Sequence, residues 1–294
     1  MKKLILYSLL FTISFSTAQK KELRNANKFF TSGEYSSAID LLESSKETFD
    51  SSDDKIKSQA MLLYGKLHTA MEDFDSAIKA FDMSKNLGIS DQLLSPEINK
   101  LETAIITSAV EDNETDNFSG AAKKLKIVYD LKPDLNQQYL YFAASSAVNA
   151  QDFQMALEYY EILRDIKYDG VETKFYLTDV DSGEEMEINS ESQYKLLQKT
   201  KDYSDPREEE TESKFPEIVK NIALIYKQLG QNDKALAAIE AARMSNPDDV
   251  GLIITAANIY FELGNKEAFR IAMSEAIQKE PSNPVLYYLS LIHI

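Results

Sequence analysis

Not one cysteine occurs in the 294 residues. A chain without thiols builds no disulfide, no thiolate metal site and no cysteine nucleophile, and it offers no attachment point for the lipid of a lipoprotein. Histidine is nearly as scarce, with only His68 and His293, so imidazole chemistry has little material. Nine glycines and seven prolines leave small means for long loops. Positive charge is short as well: 32 Lys and Arg stand against 48 Asp and Glu, a formal net charge of −16. A surface of that sign repels phosphate backbones and anionic headgroups. Nucleic acid and membrane surfaces are therefore set aside as partners in favour of basic or neutral proteins and peptides. Plain solubility is the simpler reading of the same charge.

Apolar runs are few too, and the one that stands out is at the start. Lys2 and Lys3 precede an apolar run from Leu4 to Phe15, followed by Ser16-Thr17-Ala18 before Gln19. This order of positive start, apolar stretch and small-residue exit predicts a secretory signal over 1–18. The run is shorter than the roughly 20 apolar residues a membrane span needs, and no later segment qualifies. The expectation is an exported protein, periplasmic or secreted, not a lipoprotein and with no transmembrane segment in the mature chain.

What the chain does have is an echo of itself. Tyr226, Leu229, Gly230, Ala242 and Pro247 recur 34 positions later as Tyr260, Leu263, Gly264, Ala276 and Pro281. Within 216–249, Ile218, Ile222, Ile225, Tyr226 and Leu229 fall at helical spacing, Gly230 closes that helix, and a second runs from Ala235 to Met244. Residues 250–283 repeat the plan with Ile253, Ala256, Ala257, Tyr260, Leu263 and Gly264. Such a period marks helical hairpins stacked side by side, each touching only its neighbours.

These residues resemble the tetratricopeptide repeat (TPR) family. Val219, Ile222, Ala223, Tyr226, Gly230, Ala235, Ile239, Ala242 and Pro247 stand in the family's order of large, small and aromatic positions. So do Ile253, Ala256, Ala257, Tyr260, Gly264, Met273, Ala276 and Pro281, with Phe269 departing where the pattern has alanine. Looser copies occupy 19–50 (Ala26, Phe29, Gly33, Ala38, Leu42), 58–89 (Met61, Tyr64, Gly65, His68, Ala77, Phe81), 102–133 (Ile105, Ala109, Phe118, Ala121, Leu125, Pro133) and 137–168 (Leu140, Ala143, Ala144, Phe153, Ala156, Tyr160). The spacing between them drifts: Ala38 to Ala77 is 39 residues, not 34. The resemblance implies an all-α fold, a right-handed superhelix of antiparallel helix pairs. The expected division is 19–168 for units one to four, 169–215 as an insert, 216–283 for units five and six, and 284–294 as the first helix of a truncated seventh. That last helix lacks its partner, so the sequence reads as a fragment of a longer protein, with a partner that covers this end as the alternative.

Residues 169–215 break the helical period. Lys174 to Val180 alternates, Asp181-Ser182-Gly183 is turn chemistry, and Glu184 to Ile188 alternates again. The expectation is a β-hairpin near 173–189, a short helix near 190–200, and a polar loop through Tyr203 to Glu210. A lone hairpin is marginal in water, so it is expected to lie against the helices of units four and five.

Signs of chemistry are weak throughout. His68 takes a TPR aromatic position and reads as a packing residue, and no Ser/His/Asp, phosphate-loop or HExxH pattern occurs. Asp179-Val-Asp181-Ser-Gly183 starts like a calcium loop, but its glycine comes one position early. Asp112, Glu114 and Asp116 alternate, yet Asn117 stands where glycine belongs. The reading is therefore not an enzyme and without cofactor: a scaffold or adaptor of the bacterial cell envelope that binds a protein or peptide. Two alternatives stay open, an envelope enzyme or solute-binding component using the 169–215 insert as a lid, and a purely structural subunit of an outer-membrane or secretion assembly.

The resemblance also implies where a partner would sit, on the inward face of each first helix. Those positions are Leu62 and Lys66, then Ile106 and Val110, then Tyr141 and Ser145. Lys220, Leu224 and Lys227 follow, then Ile254, Asn258 and Phe261. The family's carboxylate clamp needs a lysine followed four residues later by asparagine; here Leu224 follows Lys220, so that clamp is not intact.

Overall fold

The computed structural model describes residues 19–292. The leader expected over 1–18 and His293 lie outside the described residues. Helix α1 covers 19–31, followed by α2 (Tyr35–Ser44), α3 (Lys46–Asp50), α4 (Asp54–Ala70), α5 (Phe74–Asn86), α6 (Asp91–Glu114) and α7 (Phe118–Leu131). Next come α8 (Gln137–Asn149), α9 (Phe153–Asp165), β1 (Thr173–Asp179), β2 (Glu185–Ile188), α10 (Glu191–Leu197) and β3 (Tyr203–Glu210). The chain closes with α11 (Phe215–Gln228), α12 (Asn232–Ser245), α13 (Val250–Glu262), α14 (Lys266–Lys279) and α15 (Pro284–Ile292). The described residues fall into two compact units, divided between Lys132 and Pro133. Among the described residues no helix is long and apolar enough to cross a membrane.

The helices pair as antiparallel hairpins, and one turn design joins each pair. In α11/α12, Gly230 takes φ 71°, its N–H donates to Lys227 O at 2.9 Å, and the Gln231 N–H reaches back to Tyr226 O at 2.8 Å. That is a Schellman cap, which uses a left-handed residue to satisfy the last carbonyls of a helix. Gly264 repeats it, with the Asn265 N–H on Tyr260 O at 2.9 Å. Upstream the same left-handed position is filled by Glu72, Asp116 and Gln151, at φ 59°, 61° and 58°. The next residue then caps the second helix: Asp73, Asn117, Asp152 and Asn265 each accept a backbone N–H three residues on. One residue ends a helix and the next begins another, so the hairpins are tight.

Small residues carry the crossings inside each hairpin. In α11/α12, Ala223, Ala235 and Ala242 are buried with Val219 and Ile239; in α13/α14, Ala257 and Ala276 are buried with Ile253 and Met273. Phe269, the departure from alanine, is buried as well, and its ring stacks tilted against Phe261 at 5.7 Å. In α4/α5 the contact is closest at Gly65, where a Cβ would stand 2.4 Å from the Phe81 ring.

The insert differs from expectation in two respects. The run Tyr203–Glu210 is not a polar loop but a third strand, giving an antiparallel sheet of order β2-β1-β3. As an exposed edge strand it has no buried face to give its sequence an apolar alternation, and Pro206 sits on it without hindrance because an edge tolerates a missing N–H. The register slips once opposite Tyr176 and Thr178, where Asp205 turns to φ 49°. The covered face of the sheet is also not packed on the neighbouring hairpins. Leu177 and Ile188 form a small core with Tyr194 of α10, flanked by Phe175, Leu197 and Tyr203. The opposite face is a charged ladder in which Arg207 pairs with Glu185 and Glu209 and lies 4.1 Å over the Tyr176 ring. At the base of the insert the Thr211 N–H donates to Glu172 O at 2.9 Å, and the Glu172 N–H donates to Thr211 Oγ1 at 2.9 Å. The insert thus leaves and rejoins the helical chain at one point.

Candidate functional site

In the second compact unit, α8 and α11 are first helices of consecutive hairpins, and α9 packs against both. Their inner faces carry a chain of hydrogen bonds. Ser145 Oγ donates to Tyr141 O at 3.1 Å, one turn back on α8. Ser145 has a single proton, so at 3.4 Å the Tyr160 hydroxyl is the donor to Ser145 Oγ, and Tyr160 in turn accepts from Asn221 Nδ2 at 3.1 Å. Burial pushes the Tyr160 hydroxyl above its ordinary titration range. Tyr141 donates its hydroxyl to Glu217 Oε1 at 2.8 Å, and burial followed by that carboxylate raises its pKa too. Both phenols therefore stay protonated donors at neutral pH.

Beside this chain opens a cleft of about 310 Å³. Ser145, Asn149, Asn221 and Gln228 supply hydroxyl and amide groups; Val148, Phe153, Leu224 and Ile225 supply apolar surface; none of the lining residues is charged. Amide side chains both donate and accept, as a peptide main chain does. An apolar floor with a few polar groups around it is the usual make-up of a specific site.

Of the positions implied by the resemblance, Ser145 and Leu224 meet in this cleft, with Tyr141 behind it. Lys220 is exposed beside it on α11. Lys227 is spent on Glu262 at 2.5 Å, Ile254 packs against the α13/α14 core, Phe261 leans on Phe269, and Asn258 is exposed. In the first compact unit Leu62 and Lys66 line a separate cleft of about 360 Å³ against Leu23 and Arg24 of α1. There the Lys66 ammonium stands 4.8 Å from the Phe30 ring and 4.0 Å from Glu97. Ile106 is half-buried and Val110 exposed on α6. Asn221 and Gln228 escaped the sequence reading, and Tyr160 was read only as a repeat position. The first two share a helical face with Leu224 at i, i+3 and i+7, a polar pattern that hydrophobic periodicity does not register.

The remaining candidates are occupied by structure. Lys124 Nζ lies 2.6 Å from Asp112, which also accepts from Asn117 Nδ2 at 2.9 Å, so the first acidic loop already holds a cation of its own. Asp179 accepts from the backbone of Asp181 and Ser182, and these bonds hold its carboxyl below the usual range. The stretch from Tyr203 to Glu210 is hydrogen-bonded beside β1, so no gap separates it from the hairpin. A larger cleft of about 470 Å³ lies along the alanines of α12, but its polar groups are committed. Arg164 pairs with Glu161 and Asp165, and the Lys234 ammonium sits 5.4 Å over the Tyr226 ring.

Comparison with known proteins places these hairpins. Residues 221–284 match the tetratricopeptide-repeat family model. No curated protein matches the chain. Similar solved structures include MamA, at 14% identity and TM-score 0.40 over 76% of this chain and 92% of that one. YrrB, described as a TPR protein with an unusual peptide-binding site, gives 12% identity and TM-score 0.34 over 94% and 96%. PilF of Pseudomonas aeruginosa gives 8% identity and TM-score 0.38 over 95% and 99%. The family model thus marks tetratricopeptide repeats in the C-terminal hairpins, and the hairpins upstream share their cap-and-turn design.

Proposed function

We propose that the protein is a non-enzymatic interaction module that holds an extended segment of a partner protein in the α8/α9/α11 cleft. One observation carries this reading: the uncharged hydroxyl and amide groups of Ser145, Asn221 and Gln228 surround an apolar floor that includes Leu224. The amides bond the main chain of the segment, and a single apolar side chain anchors it. A few buried anchors, not total area, then set the affinity. The leader-like start of the sequence supports action in the bacterial cell envelope, periplasmic or secreted, as a scaffold or adaptor of an envelope complex. Amino-terminal sequencing of the exported protein should find Gln19 first; a mature chain that keeps Met1 contradicts this placement.

Selection of peptides from a random library on the immobilised chain tests the binding claim. The account expects binders whose affinity falls about tenfold or more in Leu224→Asp and stays unchanged in Met244→Asp, at an exposed position on α12. Failure to select any peptide, or binders indifferent to Leu224→Asp, would overturn it.

A further inference from the structure

A second cleft lies in the first compact unit, away from the inner face of the first helices. The sequence spacing there exceeds the 34-residue period by the length of one short element, and that element is α3 (Lys46–Asp50). It forms one wall of a cleft of about 640 Å³, facing α5 across the edge of α4. The floor is apolar, made by the buried Leu42, Phe49 and Ala80. Met61 and the half-exposed Met83 line it with thioethers, side chains that adapt to varied apolar shapes. Tyr64 enters from α4 with its ring stacked on His68 at 6.2 Å, and among the described residues its hydroxyl has no hydrogen-bond partner.

The charges around this floor are not uniform. Glu43 and Asp50 line the cleft together with Tyr64, and burial, followed by these two carboxylates, pushes the Tyr64 hydroxyl up to about 12. Lys46 and Lys79 are exposed at the mouth, where their long stems leave the ammonium groups in water. His68 is turned to Asp73 at 3.2 Å and is not part of that acidic wall.

We propose that this cleft is a second docking site, which takes a segment of a partner protein with a bulky apolar residue next to a lysine or arginine. The apolar residue seats on Leu42, Phe49 and Ala80 between the two methionines. The cation meets Glu43 and Asp50 and the face of Tyr64, where carboxylate pairing and attraction to the ring act together. Lys46 and Lys79 repel further bases, so the site selects one cation beside the anchor and not a basic run.

Fluorescence anisotropy on the chain from Gln19 tests this with labelled Gly/Ser heptapeptides carrying Phe-Arg, Phe-Glu or Ala-Arg at the centre. Saturable binding of the Phe-Arg probe is expected, weaker by about tenfold or more for the other two. Met83→Glu, and Glu43→Lys combined with Asp50→Lys, should each weaken the Phe-Arg probe by a similar factor without lowering the melting temperature. The double charge reversal should also improve the Phe-Glu probe, a gain that misfolding cannot produce. Leu224→Asp should leave all of this unchanged, which separates the test from that of the α8/α9/α11 cleft. No binding of the Phe-Arg probe, or equal binding of the Phe-Glu probe or by Met83→Glu, would overturn the proposal.

Discussion

Gly65 shows how little room a single position has. Alanine is the better helix former by about 1 kcal/mol, yet its Cβ would stand 2.4 Å from the ring of Phe81, a side chain 1% exposed. Overpacking of this kind costs about 1–3 kcal/mol, so the clash wins. Gly65→Ala should lower stability by about 1 kcal/mol in a denaturant titration; a gain would show that Phe81 moves freely. The tyrosines at the repeated first-helix position have a second role beyond filling space. Tyr226 donates to Glu161 at 2.5 Å and Tyr260 to Glu240 at 2.7 Å, and each glutamate is itself paired with an arginine three residues on. Each bond ties a first helix to the second helix of the preceding hairpin. Tyr260 is pushed up to about 12 by burial and then by Glu240, and Tyr64 reaches about 12 for similar reasons. Both values lie above that of an unfolded tyrosine, so the stabilisation they mark is present below about pH 10 and is lost as pH rises to 12. Urea titrations at pH 9 and 11.5 should show this fall, and Tyr260→Phe should reduce it.

At the level of elements, the hairpin turn explains what could be read from the sequence. The 34-residue echo stood out because Gly230 and Gly264 mark the left-handed cap openly. Gly33 marks it in the first hairpin too, but in the three hairpins between, Glu72, Asp116 and Gln151 adopt the same conformation, so there the strongest punctuation of the period is missing although the geometry is kept. A left-handed non-glycine costs about 1–2 kcal/mol, offset in part by the greater backbone entropy glycine loses on folding. Gln151 is exposed, and Gln151→Gly should raise stability by about 0.5–1 kcal/mol in thermal or chemical unfolding; a loss would mean the glutamine side chain contributes more than its backbone costs. Strand β3 was hidden for a different reason. Its Glu208-Glu209-Glu210 run faces water and carries no alternation to read. Because Glu172 and Thr211 are already hydrogen-bonded, replacing 173–210 by a short Gly/Ser linker should leave the helical circular dichroism of the remaining chain intact. Collapse of that signal would show that the insert supports the hairpins.

For the molecule as a whole, a regular array of hairpins supplies surfaces, and departures from regularity supply the distinctive ones. The α8/α9/α11 cleft was half legible: Ser145 and Leu224 fall on the inward positions implied by the resemblance, whereas Asn221 and Gln228 look like ordinary solvated residues until the fold aligns them with Tyr160. The net charge of −16 bears on encounter more than on this uncharged cleft. It should speed association with basic partners at low salt while leaving dissociation nearly unchanged, which stopped-flow measurements at two ionic strengths would check. The central claim is that a peptide is held between α8 and α11. Hydrogen–deuterium exchange with and without a selected peptide tests it most directly. The account predicts added protection concentrated in Gln137–Asn149 and Phe215–Gln228; protection confined to α12 or to the insert, or none at saturation, would contradict it.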